Sequence, residues 1–239
     1  MRSNPVTLSE NIVIAAENAI DAEERLIIKA YGFIPVTEFF MRDFVKKVMT
    51  KFKRPELASA VSMLIKELTV NAAKANFKKL LFLENNIDVG NAEDYERGMK
   101  MFREAITETM PFEYGVKAKE ASLNVHTSFD FDKDRIIIEV RNNLPMSQIE
   151  ERRVREKLRQ AMECEDIADF MMENADETEG AGLGIILSLM ALKSSAIDPK
   201  ALTISTDFRN ETIARVEIPL NDNYQPRHAR PHDGIAKTG

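Results

Sequence analysis

Three short runs of the chain hold residue types at spacings suited to chemistry. The first is PELASAVSMLIKELTVNAAKANFKK, residues 55–79. At about 100° per residue, Leu57, Val61, Leu64, Leu68 and Ala75 form one apolar stripe of a helix. Asn71 falls within roughly 20° of Leu64 on that wheel, with Glu67 one turn before it and Lys74 about one turn after. A carboxamide on a covered face costs about 1–3 kcal/mol unless it finds a partner. Two partners are open. Asn71 either bonds neighbouring backbone, or it supplies an oxygen to Mg²⁺ with Glu67 lining the same site. Mg²⁺ takes such oxygen ligands beside substrate phosphates.

The second run is IIIEVRNNLPM, residues 136–146, a strand that ends in Asn142 and Asn143. Side chains at a strand end emerge rigidly at the sheet's rim, where they can read the edge of a ligand. The same residues also read as an Asn-rich turn. The third run is ETEGAGLGIILSLMAL, residues 177–192, in which Gly180, Gly182 and Gly184 open directly into an apolar helix. Glycines let backbone N–H groups approach an anion, and a helix N-terminus adds positive potential. That is a phosphate-binding arrangement. It is not a dinucleotide fingerprint, which needs a preceding strand where this chain has an acidic loop. Nor is it a Walker loop, since Gly-Lys-Ser/Thr is absent.

The elements that must position these runs follow from periodicity. Helices are predicted over 8–30, with Ser9 as cap, over 36–54, and over 55–79, where Pro55 suits a first helical position. A short strand at Leu80–Leu83, a loop at 84–92 and a helix at 93–109, an excursion from the core, come next. Strands at Leu123–Phe131 and Ile136–Val140 flank a hairpin turn at Asp132-Lys133-Asp134. Ser147 and Glu150 have capping-box spacing and open a helix that reaches about Met162. An acidic stretch, 165–179, precedes the glycine run. Strands at Leu202–Phe208 and Thr212–Leu220 close the fold, with Ala214, Val216 and Ile218 on one face. The polar tail, 221–239, is expected to be disordered. The order implies an α+β fold: a two-layer α/β sandwich with a mixed, mostly antiparallel sheet, helices on one face, and N-terminal helices in front.

Composition narrows the function classes. A net charge of −6 disfavours non-specific nucleic-acid binding, which needs clustered cations. Cys164 is the only cysteine, so an internal disulfide and a thiolate metal site are excluded. No apolar run approaches the ~20 residues of a membrane span, and Glu10 and Glu17 interrupt the N-terminal apolar stretch that a leader would need. The expectation is a cytoplasmic protein.

Taken together, the three runs resemble the gyrase, chaperone, histidine-kinase and mismatch-repair (GHKL) ATPase superfamily. Glu67-Leu68-x-x-Asn71-Ala72-x-Lys74-Ala75 looks like its N box. The EVRNN segment sits where its D-x-G-x-G box belongs, and Gly180-Ala181-Gly182-Leu183-Gly184 resembles its second glycine box. Thr212 occupies the place of the family's adenine-side Thr. The likeness covers about residues 55–220 and implies a Bergerat-type ATP-binding fold, preceded by a helical region at 1–54. That region either forms a dimerisation hairpin or packs on the domain. The resemblance implies ATP and Mg²⁺ as ligands, with Asn71 on the metal and Glu67 as general base or water-orienting group. Lys74 and the backbone of Gly182, Leu183 and Gly184, with Gly180 opening the loop, would contact phosphates. Asn142, beside Asn143, would face the adenine amine, and residues 147–179 would form a mobile lid.

The chain departs from that pattern in two places. Asn142 stands where the family has Asp, and Leu144 and Met146 stand where it has glycines. The histidines are His126, His228 and His232, so none precedes the N box as a phosphoacceptor. Three functions stay open. One is a signalling kinase acting on or with a separate partner, such as a response regulator or an anti-sigma-type antagonist. Another is a non-catalytic nucleotide-binding or interaction scaffold. The third is a hydrolase using Glu67.

Overall fold

Alternation along the strands decides the architecture. The computed structural model describes residues 10–106, 110–163 and 183–229. Its strands are β1 (Leu26–Ala30), β2 (Val125–Phe131), β3 (Arg135–Asn142), β4 (Leu202–Thr206) and β5 (Thr212–Pro219), in the sheet order β1-β2-β3-β5-β4. Every pairing among them is antiparallel, where a mixed sheet was expected. The register stacks Leu26, Phe129, Ile138, Val216 and Leu202 in one inward row. The row at the sheet's end is Ala30, Val125, Asn142, Thr212 and Thr206, apolar on one side and polar on the other. The outward face is ionic: Arg25, Arg141 and Arg215 surround Glu139 at 3.6–3.7 Å. Ion pairs this exposed add little stability each.

Helices cover the inward face. Helices α1 (Glu10–Ala22), α2 (Pro35–Lys51), α3 (Ala58–Glu84) and α7 (Leu183–Ser194) share one buried core with the strands. Helices α4 (Ala92–Ala105) and α5 (Met110–Glu120) close a second core with the far half of α3, around Phe77, Leu81, Phe82 and Phe102. Helix α6 (Gln148–Glu163) lies against α7 and β4. The result is an α+β fold with one antiparallel sheet, compatible with a two-layer sandwich. No described helix is long and apolar enough to cross a membrane.

Several boundaries differ from the sequence reading. The helix expected over 8–30 stops at Ala22, and its last residues form the edge strand β1. Leu80–Leu83 is not a strand but the last turn of α3, with Leu80, Leu81 and Phe82 buried in the core shared with α4 and α5 and Leu83 exposed. Helix α5 was not anticipated. Residues 221–229, expected to be disordered, dock on the sheet. There the Tyr224 hydroxyl donates to Glu217 at 2.6 Å, and the Arg227 N–H donates to the same carboxylate at 3.1 Å.

Five of the helix ends share a device. Helices α1, α2, α3, α5 and α7 each finish with a left-handed residue that is not glycine: Glu23, Lys53, Asn86, Ser122 and Ala196. In each, the following N–H donates back to a carbonyl in the last turn, as Ile197 does to Leu192 at 3.0 Å. Helices usually advertise such an end with glycine, and these do not. The left-handed conformation costs an L-residue about 1–2 kcal/mol. Ala196→Gly is therefore expected to stabilise the protein by about 1 kcal/mol and raise its melting temperature by roughly 2–4 °C. A thermal melt followed by circular dichroism checks this, and an unchanged or lower midpoint contradicts it.

Candidate functional site

The polar end of the sheet opens into a cavity of about 510 Å³, a size typical of ligand pockets. Asn71 and Lys74 of the first run, Asn142 of the second and Thr212 of β5 all line it, so four residues from three separate elements converge there. Val140, Ala214 and Ile204 form its sheet-side wall, and α3 supplies Leu68, Ala72 and Ala75.

Asn142 ends β3. The alternation that turns Ile136, Ile138 and Val140 inward turns it inward too, leaving it 4% exposed. Its Nδ2 donates to the Ala72 carbonyl at 3.1 Å, while its Oδ1 is buried with no partner. The Ala72 oxygen can only accept, so the amide orientation is fixed and Oδ1 is an acceptor awaiting a donor. An ionised Asp here would set an oxygen against the Ala72 carbonyl. The amide therefore suits this backbone better than a carboxylate would.

Thr212 is the cross-strand neighbour of Asn142. Its hydroxyl donates to the Leu144 carbonyl at 2.8 Å, and the Met146 N–H donates to Thr206 Oγ1 at 3.2 Å. The Leu144-Pro145-Met146 loop is thus tied to both strands of the β4–β5 hairpin, and all three residues line the cavity. Asn143 does not join them. The same alternation turns it outward, where its Oδ1 accepts from the Asn124 N–H at 2.7 Å and its Nδ2 donates to the Ser122 carbonyl at 2.8 Å. It ties the start of β2 to the end of β3 and is not among the cavity's lining residues.

On α3, the Glu67 carboxylate lies directly against Gly184, in the first turn of α7. A Cβ added at Gly184 would overlap its oxygens. The first and third runs therefore meet. The Gly184 carbonyl accepts from Ser188 Oγ at 2.7 Å. Gly180, Gly182 and the lid residues 164–179 lie outside the described residues, as does the side chain of Leu183. Glu67 itself is beside the cavity and not among its lining residues.

Lys74 apart, the charge of the lining was not foreseen. Lys74, Lys78, Arg103, Arg153 and Lys157 line the cavity, with Glu150 the acid among its lining residues. Five cations against one carboxylate, in a chain of net charge −6, concentrate positive potential here. Glu150 pairs with Lys78. It also closes the expected capping box: the Ser147 N–H and hydroxyl donate to Glu150 Oε2 at 2.9 Å, and the Glu150 N–H donates to Ser147 Oγ at 3.3 Å. Burial alone pushes the Glu150 carboxyl up. Lys78 and the Ser147 bonds outweigh it and hold the group below the ordinary carboxylate value.

Helix α4, expected to be an excursion, forms one wall through Tyr95, Met99, Phe102 and Arg103. The signal was the i, i+4, i+7 spacing of Tyr95, Met99 and Phe102. Helix α6 closes toward it, with the Arg153 guanidinium 5.8 Å from the Tyr95 ring centroid. Neither His126 nor His228 lines the cavity. Burial, then the Lys29 and Arg141 charges, push His126 below the usual histidine value. His228 lies 3.3 Å from Asp198, and His232 is outside the described residues. No cluster of three His, Cys, Asp or Glu side chains that could hold a metal exists among the described residues. A cation here would rest on Asn71 and Glu67 together with the ligand's own phosphates.

No family model matches the chain, and no solved structure does. An uncharacterised protein of Treponema pallidum (strain Nichols) is 27% identical over 218 residues, which cover 91% of this chain and 42% of that protein. The chain thus spans less than half the length of this relative.

Proposed function

We propose that this chain binds ATP with Mg²⁺ and is a signalling protein of the histidine-kinase-like ATPase type. It acts on or with a separate partner protein and does not phosphorylate a histidine of its own. The observation that carries the reading is the convergence of Asn71, Lys74, Asn142 and Thr212 on one cation-lined cavity. The buried free acceptor at Asn142 Oδ1 suits an exocyclic amine. The apolar walls suit a base, and the cations suit phosphates. Phosphoryl transfer asks for positioning and charge more than for covalent chemistry, which a cavity of this kind can supply. Asn71 would hold Mg²⁺ against the phosphates and Glu67 would orient an attacking hydroxyl or water. A partner such as a response regulator or an anti-sigma-type antagonist would supply the acceptor.

A second reading has its own observation. Leu144 and Met146 enter the cavity where the family has glycines. That favours a nucleotide-binding scaffold without turnover. Calorimetric titration with a non-hydrolysable ATP analogue separates the possibilities. Saturable binding is expected at submillimolar ligand, weakened roughly tenfold or more without Mg²⁺. No binding at millimolar ligand rejects the nucleotide reading. Incubation with labelled ATP then distinguishes transfer to a partner, hydrolysis, and neither. Acid-labile label on the purified chain would overturn the exclusion of a histidine autokinase.

A further inference from the structure

Asn71, Lys74 and Lys78 follow one another at i, i+3 and i+7 along α3, and all three line the cavity. The two lysines differ in their surroundings. Lys74 makes no ion pair with a described residue, whereas Lys78 is paired with Glu150 across the cavity, on the first turn of α6. Both partners of that pair are largely covered, with side-chain exposures of 19% and 25%. In a site so rich in cations, Glu150 is out of place by charge. It adds repulsion against any polyanion and occupies the ammonium such a ligand would use.

We propose that Lys78 is a phosphate-contacting residue of this cavity and that Glu150 is its built-in competitor, so that a bound polyphosphate takes Lys78 over and unties α6 from α3. The proposal rests on the nucleotide reading and adds regulation to that site. A phosphate group carries more negative charge and more acceptor oxygens than one carboxylate, so it displaces Glu150 from a shared ammonium. Once displaced, Glu150 is a half-covered carboxylate beside a polyanion, an arrangement that is relieved only when it leaves. Helix α6 has a cation ready to follow the exchange. Arg153 lies one turn on, on the same cavity-facing side, held among the described residues by Glu96 at 3.9 Å and the Tyr95 ring. The intramolecular pair therefore sets the affinity of the empty site, and ligand occupancy is transmitted to the start of α6.

Glu150→Gln tests this without stripping the helix cap, because Gln serves the capping box as well as Glu. The full chain, Glu150→Gln and Lys78→Gln are each titrated with the non-hydrolysable ATP analogue and Mg²⁺. Glu150→Gln is expected to bind about tenfold tighter than the unaltered protein, and Lys78→Gln about tenfold weaker. Hydrogen exchange supplies the second readout. The first-turn amides of α6 are expected to exchange faster in Glu150→Gln without ligand, and faster in the unaltered protein once ligand is added. If the unaltered protein binds and Glu150→Gln binds equally or more weakly, the competitor role is overturned while the nucleotide site stands. A merely structural pair would give that result, with a lower melting temperature and no gain in affinity. If none of the three binds, the nucleotide reading fails and this proposal fails with it.

Discussion

Phe44→Ala is expected to destabilise the protein by about 3–5 kcal/mol, a large share of the about 5–15 kcal/mol that holds a typical domain folded. Phe44 is 2% exposed on α2. Its ring meets Phe129 edge-on at 4.9 Å and Phe131 at 5.9 Å, and Phe52 extends the cluster to Phe131 at 6.2 Å. Truncation removes a large buried apolar surface and two aromatic contacts, and it leaves a void between α2 and the sheet that close-packed neighbours refill only in part. Urea unfolding followed by circular dichroism would show one transition with a lower midpoint and an unchanged slope. The result also decides what residues 1–54 are. If they were a hairpin appended to an independent domain, the mutation would melt a separate, minor transition and leave residues 55–220 at their original midpoint. The shared core predicts that everything moves together, because Met41, Val45, Val48 and Met49 lie in the same core as β2, β3 and β5.

How much of this could be read from the chain depends on what each residue's neighbours reveal. The stripe on α3 and the inward face of β5 were legible, because a helix or strand buried on one side repeats its apolar residues at its own period. Leu57, Val61, Leu64 and Leu68 are all buried, as are Ala214, Val216 and Ile218. Strand β1 was not legible. Leu26-Ile27-Ile28 is a short apolar run that fits either element, and the break before it is made by Glu23 at a φ of 55°, without a glycine to mark it. Leu80–Leu83 misled in the opposite direction. Four apolar residues in a row resemble a buried strand, but they end a helix, and Leu80, Leu81 and Phe82 are buried in a second core that α3 forms with the two helices that follow it, α4 and α5.

At the site, both residue type and side are written in the sequence. Adjacent residues at a strand end face opposite ways, and here Asn142 enters the cavity while Asn143 turns to Ser122 and Asn124. The parity of Ile136, Ile138 and Val140 already named Asn142. The cations other than Lys74 were illegible for a different reason. Lys74 and Lys78 come from α3, Arg103 from α4, and Arg153 and Lys157 from α6. No linear window contains all five, and in an acidic chain each of the four besides Lys74 reads as a solvated surface charge.

The contact between Glu67 and Gly184 yields the most discriminating expectation for the site. In the unaltered protein, Gly184→Ala places a methyl group where the Glu67 carboxylate lies. The obstructed atoms are the far end of a flexible side chain, so the fold survives and the carboxylate moves. It then leaves its place between the Mg²⁺-ligand candidate Asn71, one turn along α3, and the start of α7. Disturbing a group that supports a metal ligand typically costs about 10–100-fold in affinity. Mg²⁺-dependent analogue binding is accordingly expected to weaken by up to about 100-fold in Gly184→Ala. The same substitution in a Glu67→Ala background should do the reverse to stability. With no carboxylate to displace, alanine in place of glycine favours the helix by up to about 1 kcal/mol, and Mg²⁺-analogue binding should show no further loss. The two effects form a cycle in which the methyl group is harmful only while Glu67 is present. Equal effects of Gly184→Ala in both backgrounds would mean that the carboxylate and the glycine are not coupled, and Glu67 would then lose its place in the site. A methyl that harms binding only with Glu67 present would tie the helix-borne carboxylate to the glycine run as one functional unit.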